Sequence, residues 1–413
     1  MDLYISFYDN YRGNENYIII NNGFSFGRDK KEGDVDLLLD SEDKKSSFIL
    51  RSILNKYKPN RVWCSLTYTQ HYLFIKKFIN DSWIIGGPFV TAQLTNNDFI
   101  NEFSSKPEII YSTIEQYLGK PTSSDFDPYF SDFINGLDKD YHIVASASLS
   151  NVCYWNKCGY CTYNKTGSNY IRQDIDKIMD SLLMFFKKSN HDISYFHLCV
   201  PATPPNMLQK IIDTDKRLKL RAYLRPDEPI NEVISSYDKT LENFTFSLGP
   251  EGFSQSILDE LEKGFTVKDT MFLIEELMKR KAVISISLMN GYTFLTREIV
   301  DDYKHNVGIL NDLIKKYNYY DKLNIFFGDT IYWSKKEDAE KWGSTSRKGM
   351  FGINEVYMSN IIEGTEMFKL NEEIEDFMMK HNVHFQIYHF QKPVLLESSD
   401  KGSKYKLTQG REF

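Results

Sequence analysis

Short apolar runs alternate with helical patterns through the first 120 or so residues. Residues 2–7, 35–39, 61–67 and 83–87 predict strands. Residues 46–57 and 70–80 carry the helical spacing, and 108–118 run from a strand into a helix. Strands that alternate with helices imply a parallel sheet covered on both faces. A polar stretch follows, 120–140, with Pro121, Ser123, Ser124 and several acids, and reads as a connecting segment. A second alternating series then begins. Strands are predicted over 143–147, 195–200, 218–224, 244–248, 283–289 and 322–327, and helices over 173–188, 205–214, 254–263, 267–280 and 297–317. Most strand units are followed by a helix, the pattern of an incomplete α/β barrel whose chemistry sits at the C-terminal ends of its strands. From about 336 to 413 the pattern is less regular, with a helical stretch over 374–380 and a strand over 384–388. The predicted organisation is therefore a domain over 1–120, a linker over 121–142, a partial barrel over 143–335 and a small C-terminal extension over 336–413.

Composition narrows the class. The 413 residues are 41% hydrophobic, enough for a substantial core in more than one domain. The formal net charge is -7, with basic and acidic side chains interspersed, which argues against a nucleic-acid surface. No segment has the length and apolarity of a membrane span. The N-terminus lacks the basic start, apolar run and small-residue cleavage site of a signal peptide, so a cytoplasmic location is expected.

Candidate chemistry concentrates in the cysteines. There are five, and three fall within nine residues: Cys153, Cys158 and Cys161, spaced C-x4-C-x2-C. In a reducing compartment such clustering suggests a metal site rather than a disulfide framework. Three thiolates on one loop can hold three irons of a cubane and leave the fourth open to a ligand. Structural zinc needs four closed ligands, and no second C-x-x-C or H-x3-H pair supplies them. A closed electron-transfer cluster would require Cys64 or Cys199 as fourth ligand. All three readings stand on the residues alone.

The segment resembles the radical S-adenosylmethionine (SAM) superfamily, whose usual motif is C-x3-C-x2-C with an aromatic before the last cysteine. Tyr160 holds that aromatic place, and the first spacing is one residue longer. The likeness extends to Gly249-Pro250-Glu251-Gly252, Ile257-Leu258 and Lys263-Gly264-Phe265-Thr266, similar to the family's stretch after the fourth barrel strand. It implies that Glu251 is a polar contact near the SAM ribose; otherwise Glu251 is a first-turn helix acid. The strand ending at Leu288 and the Gly291-Tyr292-Thr293-Phe294-Leu295-Thr296 turn resemble the family's "G-F-P-G-E-T", with Pro and Glu replaced. Arg225, at a strand end, stands where relatives place a basic or polar group near the cofactor; a helix-capping or linker-facing arginine is the alternative. The second barrel strand lacks the family's acidic ending: it reads His197 through Thr203, so Thr203 or backbone carbonyls would hold the SAM amino group.

Residues 1–120 resemble the Rossmann-like, cobalamin-binding-type domain of one large subgroup. Ile84-Ile85-Gly86-Gly87-Pro88-Phe89-Val90-Thr91-Ala92 carries the likeness, with Val62 through Thr67. The site would be Ser65, Thr67, Gly86 and Gly87, since glycines at a strand end admit a nucleotide-like tail. The alternative is tight turns in a domain without cobalamin; the D-x-H-x-x-G ligand pattern is absent.

The resemblance implies a 4Fe-4S cluster, SAM and cobalamin as cofactors. It implies reductive cleavage of SAM to a 5′-deoxyadenosyl radical and an external electron donor such as flavodoxin or ferredoxin. The substrate would be a small molecule or peptide. With cobalamin the reaction is methylation of an unactivated carbon. Without it, the candidates are epimerisation or cyclisation of a peptide. Epimerisation needs a hydrogen donor, and Cys199 on a predicted barrel strand is the candidate catalytic residue. A buried cysteine also serves as a small hydrophobe. His197 shares its strand face. A non-catalytic or zinc-binding module on the same fold is the remaining alternative.

Overall fold

A computed structural model describes residues 1–10, 17–21, 35–40, 44–66, 69–87, 90, 107–110, 142–149, 153–161, 175–188, 193–328, 332–333, 345–347, 356–358, 361, 364–380, 385–388, 393–399 and 402–407. The first elements are β1 (Asp2–Asn10), β2 (Tyr17–Asn21), β3 (Val35–Asp40), α1 (Lys44–Tyr57), β4 (Arg61–Ser65), α2 (Thr69–Ile75), β5 (Trp83–Gly86) and β6 (Glu108–Ile109). Leaving β2 aside, they form a parallel sheet in the order β3-β1-β4-β5-β6. That is the doubly wound order 2-1-3-4-5, which opens a crevice at the carboxyl ends of β1 and β4 where the crossovers part. The continuous apolar strands follow from burial on both faces. Leu3, Ile5, Val62, Cys64 and Ile85 pack with Leu50 of α1 and Tyr72 of α2. Tyr4, Trp63 and Ile84 face the other way with Ile110.

The second series comprises β7 (His142–Ser148), α3 (Ile175–Lys188), β8 (Ile193–Cys199), α4 (Pro205–Ile212), β9 (Leu220–Leu224), α5 (Glu228–Ser236), β10 (Phe244–Glu251), α6 (Gln255–Glu260), α7 (Val267–Lys279), β11 (Val283–Met289), α8 (Arg297–Tyr317) and β12 (Leu323–Gly328). These six strands pair in parallel and in chain order. Right-handed crossovers between strands in sequence order send every helix to one face, so the sheet curls into a barrel wall. On that face Phe196, Leu198, Ala222, Leu224, Phe246 and Ile286 meet the helices in one core. Helix starts are set by side chains. The Asp227 carboxylate accepts from the Ile230 amide ahead of α5, and Thr266 with Asp269 forms a capping box on α7.

The remaining elements are β13 (Tyr332–Trp333), β14 (Thr345–Arg347) and β15 (Val356–Met358) in a small antiparallel sheet, then α9 (Glu366–Lys380), β16 (Phe385–Tyr388), and the hairpin β17 (Pro393–Ser399) and β18 (Gly402–Leu407). Two strands lengthen the barrel wall beyond the six expected. β2 pairs in parallel with β7, from Tyr17 opposite His142 to Asn21 opposite Ser146. β16 pairs in parallel with β12. The wall thus has the order β16-β12-β11-β10-β9-β8-β7-β2. β2 also meets β1 antiparallel at Asp9–Ile19 and Asn10–Ile18, so one strand joins both sheets. Most of the expected linker 121–142 lies outside the described residues. Among the described residues no helix is long and apolar enough to cross a membrane.

Candidate functional site

The cysteine loop follows β7, at the carboxyl end of the barrel wall. Cys158 is buried, while Cys153 and Cys161 are half-buried. A turn closes with the Cys161 amide donating to the Cys158 carbonyl at 3.2 Å. The loop is pinned to neighbouring strand ends by its aromatics. Trp155 donates through Nε1 to the Glu262 carbonyl at 2.9 Å. Its ring lies against Gly264, where φ is +68°, and a Cβ there would overlap the indole. Tyr154 donates to Asp227 Oδ2 at 2.7 Å, and burial together with that bond holds its phenol well above the usual range.

Two cations back the loop. Arg225, just past β9, donates from Nε to Asp227 Oδ2 at 3.1 Å and from Nη2 to the Lys263 carbonyl. Its guanidinium stacks over Trp155 at 4.5 Å and Phe265 at 4.9 Å, and Nη1 lies 4.0 Å from Cys158 Sγ. Lys263 is 4% exposed and donates to the Tyr160 hydroxyl at 2.9 Å. Tyr160 in turn donates to Glu251 Oε1 at 3.0 Å, with Lys263 Nζ 3.5 Å from the same oxygen. Burial first, then the charge of Glu251, keeps the Tyr160 phenol protonated far above its ordinary range. Burial also pushes the Cys158 thiol up, opposed by Lys263 and Arg225.

Glu251 is held in an unusual backbone state. It has φ +68°, beyond an irregularity in the β10–β11 register, and its carbonyl accepts from the Tyr292 hydroxyl. Among the described residues no partner engages Oε2, which leaves one carboxylate oxygen for a ligand. It is therefore a strand-end residue within a buried ion pair, not a first-turn helix acid.

The other expected positions divide. Thr203 is fully buried with its amide bound to the Tyr223 carbonyl at 2.9 Å, and its Oγ1 has no partner among the described residues. Leu288 lies opposite Glu251 in register, but its side chain belongs to the helix-facing core, so only its backbone is available to a ligand. Gly291 (φ +80°) donates its amide to Asn371 Oδ1 at 2.9 Å, as does Tyr292. Cys199 ends β8, but its side chain lies outside the described set. His197 tilts against Tyr223 at 5.4 Å, and burial, then the charge of Arg221, lowers its pKa to about 4.

At the N-terminal sheet, Ser65 and Gly86 stand side by side at the carboxyl ends of β4 and β5. Gly87 has φ +102°, and a Cβ there would lie 2.6 Å from the Leu66 carbonyl and 2.9 Å from Ser65 Oγ. Thr67 lies outside the described residues. Cys64 is enclosed in the core of this sheet, where burial pushes its thiol far up, so it packs as a hydrophobe.

Three thiols on one loop, a buried hydroxyl without a partner and a half-used carboxylate fit a cluster with an attached small molecule. Among the described residues no group of three or more His, Cys, Asp or Glu side chains is arranged to hold a single ion. Cubane ligands each hold a different iron and need not converge on one point. Sequence reasoning missed Lys263 as the partner of Glu251, Asp227 as the hub for Tyr154 and Arg225, and Asn371. The Lys263-Gly264 dipeptide and the Asp227-Glu228-Pro229 helix start were the available signals.

The sequence matches no protein-family model and no curated protein. The fold is similar to solved structures. One is the radical S-adenosylmethionine methyltransferase TsrM from Kitasatospora setae with cobalamin and a [4Fe-4S] cluster bound. It aligns at a TM-score of 0.59 and 13% identity over 91% of this chain and 90% of that one. The same enzyme with tryptophan substrate and a SAM analogue bound gives 0.60 and 13%, over 91% and 89%. The cobalamin-dependent S-adenosylmethionine radical enzyme OxsB with aqua-cobalamin and S-adenosylmethionine gives 0.60 and 11%, over 92% of this chain and 66% of that one. The chain has the fold of these cobalamin-dependent radical SAM enzymes.

Proposed function

We propose that the chain is a radical SAM enzyme that carries a 4Fe-4S cluster on Cys153, Cys158 and Cys161 and methylates an unactivated carbon with the help of cobalamin. The observation that carries the reading is the cysteine loop itself, braced on Arg225, Lys263 and Glu251 at the carboxyl ends of a parallel barrel wall. When bound, the cluster supplies one-electron cleavage of SAM and cobalamin supplies the methyl carrier. The protein's part is placement. The three thiolates hold the cluster, and Arg225 and Lys263 set positive charge behind Cys158. Among the described residues, Thr203 Oγ1 and Glu251 Oε2 are side-chain groups available to orient SAM. Tyr160 and Lys263 fix the Glu251 carboxylate so that it needs no reorganisation on binding. Ser65, Gly86 and Gly87 are the strand-end residues we assign to the cobalamin tail. Electrons come from an external donor such as flavodoxin or ferredoxin, and the substrate is a small molecule or peptide handled in the cytoplasm.

The test is anaerobic incubation of reconstituted protein with dithionite and SAM, with and without cobalamin, followed by mass spectrometry. Formation of 5′-deoxyadenosine is expected, together with cobalamin that stays bound through gel filtration. Cys153→Ala, Cys158→Ala and Cys161→Ala should each strip the iron and abolish cleavage. Full iron loading in all three variants would sink the assignment. Retained SAM cleavage with no cobalamin binding would move the reaction to radical epimerisation or cyclisation, with Cys199 as the hydrogen donor to test.

A further inference from the structure

The face of the barrel wall turned away from the helices carries a charge that no described carboxylate pairs with. Alternation along the strands puts Phe196, Leu198, Ala222, Phe246 and Ile286 on the helix side. His197, Arg221, Tyr223, Ser247, Ser285 and Asn324 therefore occupy the inner side, in adjacent registers of β8 through β12. Parallel barrels normally fill this space with branched apolar side chains. Here hydroxyls, an imidazole, an amide and one guanidinium share it with Val283 and Phe326.

Arg221 donates from Nε to Ser247 Oγ at 3.1 Å. Among the described residues it has no carboxylate partner, and its terminal nitrogens make no hydrogen bond. Arg225, four residues along the same chain, is tied to Asp227 instead. Arg221 is half-buried, so part of its charge faces the interior of the wall without an anion beside it among the described residues. Its fork suits a planar carboxylate taken in two parallel hydrogen bonds. His197 is across the register and neutral near pH 7, so it adds no competing charge. Four residues of strand put about 13 Å between the Arg221 and Arg225 backbones. An acid anchored at Arg221 would thus sit about 13 Å along the strand from Arg225, which backs the cysteine loop.

We propose that Arg221, with the Ser247 hydroxyl beside it, anchors the carboxylate of the substrate inside the barrel, and that the substrate is a free amino acid. The proposal deepens the radical SAM reading and rests on it for the location of the reacting end. Within a peptide chain only Asp and Glu side chains carry a carboxylate, whereas every free amino acid offers one at its α-carbon.

The experiment uses the full chain, anaerobically reconstituted, as wild type, Arg221→Gln and Arg221→Lys. Each of the common amino acids is screened by saturation-transfer NMR, and each hit is compared with its carboxamide. At least one acid should bind wild type, with the amide at least tenfold weaker. Arg221→Gln should lose at least tenfold in affinity for that acid, and Arg221→Lys less. The proposal is overturned if no amino acid binds, if acid and amide bind alike, or if Arg221→Gln binds the acid as wild type does. The acid-against-amide comparison needs no variant, so a poorly folded Arg221→Gln does not protect the idea. Iron content and visible absorbance are read on the same samples. Iron-free protein that still prefers the acid keeps the anchor and removes the cluster reading; iron-loaded protein without preference does the reverse.

Discussion

At the residue scale, the sharpest consequences come from ionisable groups withdrawn from water. Lys263 is buried and Glu251 largely so, and the two are 3.5 Å apart. Removing one partner leaves the other buried without compensation, which costs on the order of 3 kcal/mol. Glu251→Gln should therefore destabilise more than the double change Glu251→Gln/Lys263→Met, as read by urea denaturation of the four proteins in a double-mutant cycle. His197 gives a pH signature. Its folded pKa is about 4 against an ordinary 6.5, so between those values the unfolded chain holds a proton that the folded one lacks. Stability then rises with pH across that window and is lost as pH falls through it, by roughly 3 kcal/mol at most. His197→Gln should flatten this part of the stability curve, and an unchanged slope would assign the acid sensitivity to other groups.

At the scale of elements, two contacts hold the strand ends in place from a distance. Asn371 on α9 accepts from the Gly291 and Tyr292 amides and donates to the Tyr292 and Met367 carbonyls, each at 2.9 Å. Asn371→Ala should cost about 2–4 kcal/mol, because two amides are orphaned in a buried turn; thermal unfolding checks it. Gly264 gives Trp155 its seat. Gly264→Ala strains a positive φ and evicts the indole, so iron loading should fall without loss of the barrel's circular dichroism. The strands were legible because their apolar runs serve cores on one or both faces, and α7 and α8 because Thr266 and Thr296 cap them. Helix α5 was missed although Asp227 and Pro229 mark its start. Strand β2 was missed because Tyr17–Asn21 is short and its partner in the barrel wall lies far along the chain. The three cysteines stood out by spacing, while Tyr160, Arg225 and Glu251 became candidates only through the family resemblance. Lys263, Asp227 and Asn371 could not be given roles, since those depend on packing between elements remote in sequence.

At the scale of the whole molecule, the predicted division into a first domain and a barrel meets one structural complication. β2 lies in the first 120 residues yet forms the edge of the barrel wall beside β7. A chain beginning at residue 122 should therefore expose the β7 edge and aggregate, despite retaining the three cysteines, because an unpaired strand edge templates association. Light scattering after refolding checks this, and a monodisperse product would show that the wall closes without β2. The doubly wound sheet and the barrel wall were each legible as periodic alternation. Their junction was not, since pairing register across more than a hundred residues leaves no local periodicity.

That shared strand also sets a clock for synthesis. Tyr17 pairs with His142, so its partner leaves the ribosome 125 residues later. At about 5–20 residues per second the wait is roughly 6 to 25 s. Through that interval an Ile-rich segment is exposed to the translating cell with no strand to join on its barrel side. The nascent chain should therefore recruit holding chaperones early and release them when β7 emerges, making translation speed across residues 17–148 a determinant of yield.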